Sequence, residues 1–363
     1  MTNYKDRIKV LVVDDSAIVR KILTAELSRY ANIEIVGTAP DAFIARNKIV
    51  ALEPDVLTLD LEMPRMNGIT FLRKLMKQHP MPVIVLSSFT PRGSKKAMEA
   101  YDAGAIEVIC KPEPADNIRD ICKTLVEKIQ VASKAHMDRR PLKAEQITSP
   151  MKPLAIAEAT NTIFAIGAST GGVQALTTIL SALPANAPGT LVVQHMLPRF
   201  TASFAERLDT VCAMKVKEAQ DKDVLTSGEA LVAPGGRHML LQRHSNDYYV
   251  TIKDGPEVCR QKPSVEVLFN SVAKHAGPNA VGVILTGMAN DGAKGLLNMR
   301  KHNAHTIAQD ESSSIVFGMP REAIKLGAAE KVVSLPNIAA TMIQLAKAGK
   351  SCKAVRTEKC KIT

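Results

Sequence analysis

Between residues 8 and 128, short apolar runs alternate five times with amphipathic stretches. IKVLVVDDS, IEIVGTA, PDVLTLDLEMP, MPVIVLSSF and AIEVICKP read as strands, because runs this short and this apolar suit buried strands bounded by turns. AIVRKILTAELSR, GITFLRKLMKQH and KKAMEAYDAG repeat apolar residues at helical spacing between them. Strands separated by helices pair in parallel, since each crossover returns the chain to the same edge. The pattern therefore specifies a doubly wound parallel sheet. It also restricts where chemistry can occur, because ligands of such sheets sit beyond the carboxyl ends of the strands.

The alternation resumes at Thr162. TIFAIGAST, TLVVQHM, ALVAPGGRHMLL, YYVTIKDG, AVGVILTGM, HTIAQD and KVVSLP read as strands, with GGVQALTTILSAL, SFAERLD, VEVLFNSVAKHA and GLLNMRKH as helices between several of them. LLQR and DYYVTI flank the turn residues Ser245-Asn246-Asp247, which suits an antiparallel hairpin. The expected fold class is thus α/β, with two doubly wound parallel-sheet domains, the second Rossmann-like with a hairpin. A chain of 363 residues exceeds what one core usually organises, roughly 250–300 residues. Residues 129–160 carry scattered charge, Pro141, Pro150 and Pro153, and no sustained period, which reads as a linker. The expected division is 1–128, linker 129–160, second domain 161–346 and a basic tail 347–363.

Several classes of function are excluded early. No run of about 18 apolar residues exists, so the chain is not membrane-embedded, and the charged N-terminus MTNYKDRIKV is no secretory signal. The six cysteines form no C-x-x-C pair and none has a histidine at zinc spacing, which suits a reduced, cytoplasmic protein. The net charge is +11, of which the segment from Lys347 onward supplies +5, from six basic residues and Glu358. Such a tail reads as a solvated segment, or as one attracted to an acidic partner. Basic charge alone does not indicate nucleic acid, and strand after strand is unlike a helix-turn-helix module, so no nucleic-acid partner is expected.

In the first domain Asp14 and Asp15 end the first strand, Asp60 the third, Ser87 the fourth and Lys111 the fifth. Parallel strands bring these ends to one edge. Three carboxylates there repel unless a hard divalent cation neutralises them, and Mg2+ suits because it takes carboxylate oxygens while keeping sites for phosphoryl oxygen. A carboxylate beside such an ion can attack phosphorus, with Lys111 and the Ser87 hydroxyl balancing the phosphoryl group. Any one of these residues also fits a helix cap or a solvent-facing acid; four strand ends together are harder to account for in that way. The acidic pair, LDLEMPRMNG around Asp60, Ser87 and Lys111-Pro112 resemble a response-regulator receiver domain. The resemblance implies that Asp60 accepts a phosphoryl group from a histidine kinase and that Asp14 and Asp15 hold Mg2+ with it. It also implies that Ser87 and Lys111 act as the switch pair and that the bond before Pro112 is cis.

In the second domain FAIGASTGGVQ, residues 164–174, has three readings. Glycines after a strand can cradle a phosphate at a helix N-terminus. The G-x-S-x-G around Ser169 can lift a nucleophilic serine out of a strand-to-helix turn. The third reading is a tight turn only. A serine nucleophile needs a base, and the base an orienting carboxylate. Of eight histidines, His195 directly follows the TLVVQ strand and His238 follows ALVAPGGR. His195 is the better candidate because it stands at a strand tip. Asp291, in LTGMANDGA, is the candidate acid, with Asp310 in TIAQDE as competitor. The order Ser, His, Asp differs from that of α/β-hydrolases, and the glycines do not make G-x-G-x-x-G.

GASTGG, VVQHM, FTASFAERLD, APGGRHM, KPSVEVLFNSVA, LTGMANDGA, AQDE and VFGMPREAI together resemble the catalytic domain of chemotaxis protein-glutamate methylesterases, from about Ile163 to about Leu345. The resemblance implies that Ser169 is the nucleophile, His195 the base and Asp291 its orienter, with no cofactor for ester hydrolysis. It implies methyl-accepting chemotaxis receptors as substrate, glutamine deamidation as a second activity, and a receiver that blocks the active site until Asp60 is phosphorylated. Two positions depart from the family. Leu197 stands where proline is common after the His-Met pair, and Ala289 stands where glycine is frequent in the Asp291 loop.

Overall fold

In the first half, β1 (Ile8–Val13), β2 (Ile33–Ala39), β3 (Val56–Asp60), β4 (Val83–Ser88) and β5 (Glu107–Lys111) form one sheet in the order β2-β1-β3-β4-β5. All four pairings are parallel, the doubly wound order expected of a flavodoxin-like sheet. Helices α1 (Ala17–Leu27), α2 (Ala42–Leu52), α3 (Gly68–Gln78), α4 (Pro91–Asp102) and α5 (Ile118–Ala132) connect and follow the strands. Side chains in the loops that follow the strands start three of them. Ser16, Asp41 and Asn67 accept hydrogen bonds from first-turn amides of α1, α2 and α3, which satisfies donors the helix cannot. Every residue of β3 is buried, as a central strand covered on both faces requires.

This computed structural model describes residues 7–88, 91–111, 118–135, 162–198 and 200–358. The chain divides into two compact units, Met1–Leu142 and Lys143–Thr363. Helix α5 runs on through Ala132, into the segment read as a linker. Most of that segment, and Pro112 with the peptide bond expected to be cis, lie outside the described residues.

The second unit contains β6 (Ile163–Ala168), α6 (Gly172–Ala182), β7 (Gly189–Gln194), α7 (Phe200–Val211), β8 (Lys215–Glu218), β9 (Glu229–Val232), β10 (His238–His244) and β11 (Asp247–Lys253). It continues through α8 (Val265–His275), β12 (Ala280–Ile284), α9 (Ala293–Lys301), β13 (His305–Gln309), α10 (Met319–Lys325), β14 (Lys331–Val333) and α11 (Leu335–Glu358). Seven strands form a sheet in the order β14-β13-β12-β6-β7-β9-β8, parallel throughout. The chain grows outward from β6 on one side through β7 and later on the other through β12. That reversal makes the carboxyl ends of β6, β7 and β12 the switch point at which such sheets bind ligands. The hairpin of β10 and β11 pairs antiparallel about Ser245-Asn246, with Ser245 at φ 52°. Leu268, Phe269 and Val272 of α8 share one buried core with Met239, Leu241 and Val250 of the hairpin. Each such side chain contributes roughly 1.5–3 kcal/mol by leaving water.

Three features of the second unit differ from the sequence reading. ALVAPGGRHMLL is not one strand: it breaks at Pro234-Gly235-Gly236 into β9 and β10, with Gly236 in the left-handed region at φ 76°. His238 therefore begins a strand rather than following one. KVKE forms the edge strand β8, which the pattern concealed because a short, charged strand is what a sheet edge favours. At the C-terminus α11 continues through Glu358, into the segment read as a solvated tail. Lysine, alanine and arginine are good helix formers, and no proline interrupts them.

Candidate active site

Ser169 directly follows β6 and is 4% exposed. Its amide donates to Thr286 O at 3.0 Å and its carbonyl accepts from Gly172 N at 2.7 Å, which folds the chain sharply from strand into α6. Gly171 caps that helix at φ 79°, a conformation glycine adopts without steric cost. Space also demands glycine here. A β-carbon at 171 would lie 2.8 Å from Ile315 Cβ, and one at 287 would lie 2.7 Å from Ser169 Cβ. The glycines thus make room around the serine.

His195 follows β7, and its amide donates to Ala168 O at 3.1 Å. Its ring Nε2 lies 2.8 Å from Asp291 Oδ2. Asp291, in the loop between β12 and α9, is fully buried. It accepts further hydrogen bonds from Ser264 Oγ at 2.7 Å, Val265 N at 2.7 Å and Glu266 N at 3.0 Å. These donors are the N-cap and first turn of α8, where the helix favours negative charge. Burial acts to raise the Asp291 pKa, but the bonds from His195, Ser264 and Val265 outweigh it and hold the carboxyl below its usual range. A carboxylate only accepts, so Nε2 carries the ring proton and Nδ1 offers the lone pair. Nδ1 is buried and has no hydrogen-bond partner. Among the described residues no hydrogen bond joins Ser169 Oγ to His195, a contact that in unliganded sites often closes only with substrate.

The competing residues have other tasks. His238 is buried between Pro256 O at 2.9 Å and the Ser264 amide at 3.2 Å, so both ring nitrogens are used. Asp310 binds the Ser312 hydroxyl and the Ser313 amide and hydroxyl within its own turn. Ala289 adopts φ 68°, the left-handed conformation that glycine takes freely.

Two functional neighbours escaped the sequence reading. Ser264 both caps α8 and donates to Asp291; its only sequence signal is a serine opening the helical run VEVLF. Gln194, the last residue of β7, is 2% exposed, and its Nε2 donates to Ser169 O at 2.9 Å and to His195 O at 3.2 Å. No sequence pattern announces that contact.

In the first unit the strand ends converge as parallel pairing requires. Candidate ligand atoms of Asp14, Asp15 and Asp60 lie within 4.8 Å of one another. Lys111 Nζ lies 2.8 Å from Asp14 Oδ2 and 3.2 Å from Asp60 Oδ2. Burial raises the Asp14 and Asp60 pKa values above the usual carboxylate range, against the pull of Lys111. Burial acts to lower that of Lys111, but Asp60 and Asp14 outweigh it and raise it. Ser87 is buried at the end of β4. One lysine against three carboxylates leaves excess negative charge on an all-oxygen donor set, which fits a hard divalent cation.

Fold and sites define a class: two doubly wound α/β units, one with an acidic strand-end cluster and one with a serine, histidine and aspartate at its switch point. Residues 10–123 match the response regulator receiver domain and residues 164–342 match CheB methylesterase. The chain is 55% identical over 342 residues to protein-glutamate methylesterase/protein-glutamine glutaminase 2 of Syntrophus aciditrophicus, covering 93% of this chain and 99% of that one. It is 46% identical to the protein-glutamate methylesterase/protein-glutamine glutaminase of Salmonella typhi, covering 96% and 99%. The crystal structure of the Thermotoga maritima CheB methylesterase catalytic domain matches with a TM-score of 0.50 at 34% identity, covering 51% of this chain and 98% of that one. The chain belongs to the CheB methylesterase family and carries that family's receiver domain. Among the described residues no helix is long and apolar enough to cross a membrane.

Proposed function

We propose that the chain is a phosphorylation-activated protein-glutamate methylesterase and protein-glutamine glutaminase, acting in the cytoplasm on methyl-accepting chemotaxis receptors. The observation that carries the mechanism is the His195–Asp291 pair, with an unpartnered buried Nδ1 on the strand next to Ser169. Nδ1 takes the Ser169 proton as Oγ attacks the glutamyl methyl ester. The oxyanion forms at the start of α6, where helix amides favour negative charge. Collapse expels methanol, which takes its proton from His195. Water then repeats the sequence on the acyl-enzyme to release glutamate. Asp291 holds the imidazole's orientation and tautomer throughout.

In the receiver, Asp14, Asp15 and Asp60 would hold Mg2+, which when bound neutralises phosphoryl charge. Asp60 accepts the phosphoryl group from a histidine kinase, and Lys111 and Ser87 bind its oxygens. We assign residues 1–128 to the receiver, 129–160 to the linker, 161–346 to the catalytic domain and 347–363 to the tail. The decisive test is release of labelled methanol from methylated receptor membranes. Ser169→Ala abolishes it under this reading; a variant that retains wild-type turnover overturns the reading.

A further inference from the structure

We propose that Gln194 is a positioning residue that clamps nucleophile and base at a fixed separation, and that glutamine deamidation depends on this clamp more than ester hydrolysis does. The inference rests on the esterase reading of Ser169 and His195 and deepens it.

The ladder between β6 and β7 ends at the pair Ala168 and Gln194. Beyond it the chains diverge, one into the serine turn and one into the histidine loop. Two contacts bridge the divergence. His195 N donates to Ala168 O, and the Gln194 amide donates to both Ser169 O and His195 O. Two carbonyl oxygens facing one side chain admit only a group with two N–H bonds, so the amide's orientation is fixed by its partners. The remaining oxygen, Oε1, is buried with no hydrogen-bond partner. A β-carbon on Gly172 would collide with it and lie 2.7 Å from Ala168 Cβ, so glycine at that position leaves the amide its place. An amide that leaves its own acceptor unsatisfied to bridge two catalytic backbones is tolerated for what the bridge holds.

The chemistry makes the two substrates unequal reporters. With either, Ser169 Oγ bonds to the carbonyl carbon and its proton passes to His195. With the ester, the C–O bond breaks and methoxide is an adequate leaving group even when protonation lags. With the amide, the C–N bond breaks only as His195 delivers that proton to nitrogen, which departs as ammonia. A displaced imidazole therefore slows deamidation more than demethylation.

The test uses the full chain, with receptor membranes carrying methylated glutamates and glutamines. Gln194→Met keeps side-chain volume and removes both donors; Gln194→Glu keeps shape and can donate nothing in its ionised form. Melting curves and circular dichroism establish the folded fraction. The expected result, per folded molecule, is a fall in ester kcat of about 10²-fold, the scale of a catalytic group displaced by about 1 Å. Deamidation falls at least tenfold further, with KM little changed. If both activities fall by one factor, or neither falls, the clamp is refuted. Ser169→Ala runs alongside: if it stays active, the esterase reading fails regardless of Gln194. If it is inactive while Gln194→Met behaves as wild type, only the clamp fails.

Discussion

Replacing Asp291 by asparagine separates the tasks of this carboxylate. In the native protein its oxygens accept from Ser264 Oγ, Val265 N, Glu266 N and His195 Nε2. The asparagine carbonyl can keep Ser264 and Glu266, which share Oδ1. Its NH2 then takes the place of Oδ2 and confronts the Val265 amide, leaving a buried donor unsatisfied at about 1–3 kcal/mol. The start of α8 also loses its counter-charge, worth about 0.3–2 kcal/mol. The catalytic unit should lose about 2–4 kcal/mol, a fall in Tm of roughly 5–12 °C for a unit near 200 residues. Catalysis suffers separately. The new amide donates to Nε2, which drives the ring proton onto Nδ1, the nitrogen that must receive the serine's proton. The expected loss in kcat is about 10³–10⁴-fold, the cost of a wrong tautomer in a serine-histidine-aspartate site. The pH dependence gives a further check. The folded pKa of Asp291 is depressed, so its stabilisation is fully present above the unfolded carboxyl value of about 3.9. It is lost as pH falls through the folded value. Denaturation should show a stability gap between wild type and Asp291→Asn that is flat from about pH 5 to 8 and narrows below about pH 4. A variant that keeps a tenth of wild-type turnover, or whose gap widens in acid, would refute this account.

Ser264→Ala removes the cap of α8 and one charge-assisted bond to Asp291, and should cost about 2 kcal/mol in urea melts. Its kcat should drop roughly tenfold with KM nearly constant, the mark of lost transition-state positioning. Ala289→Gly relieves a left-handed alanine, worth about 1–2 kcal/mol, against about 0.4–1 kcal/mol of added chain entropy in the unfolded state. The melt should rise by up to about 1 kcal/mol, and a clear loss of stability contradicts the reading of that backbone. Asp60→Asn should retain basal esterase activity and lose stimulation by a small-molecule phosphodonor; residual stimulation would place the phosphoacceptor elsewhere.

Much of this architecture is visible in the chain because parallel α/β sheets write themselves as repeated apolar runs. β1, β3, β6, β7 and β12 were legible for that reason. Each ends in a residue whose chemistry is out of place in a core: Asp14, Asp60, Ser169, His195 and, beyond a short loop, Asp291. Edge strands follow another rule, and β8 was missed because its sequence carries the charge that protects an edge. Glycines were legible as turns but not as collisions. That a β-carbon at 287 would strike Ser169 depends on the β12 loop passing beside the β6 turn, which residues 118 positions apart cannot announce. The Gln194 bridge and the Ser264 donor belong to the same category. Each is a polar residue at an ordinary element boundary whose partner is set only by register.

The catalytic crevice uses one physical device in two ways. Helices α6 and α8 both begin there, and each N-terminus carries a partial positive charge. At α8 that charge is occupied at rest, by Asp291, which holds His195 in one tautomer. At α6 the N-cap, Gly171, makes no side-chain capping bond, and Ser169 lies two residues before it. An aspartate or serine at 171 would favour the helix in isolation. It would also put a competing acceptor where the proposed mechanism forms the oxyanion, and its β-carbon would meet Ile315. The missing cap is therefore a stability cost located where the proposed reaction develops negative charge. Capping both helices would yield a more stable fold with less capacity for hydrolysis.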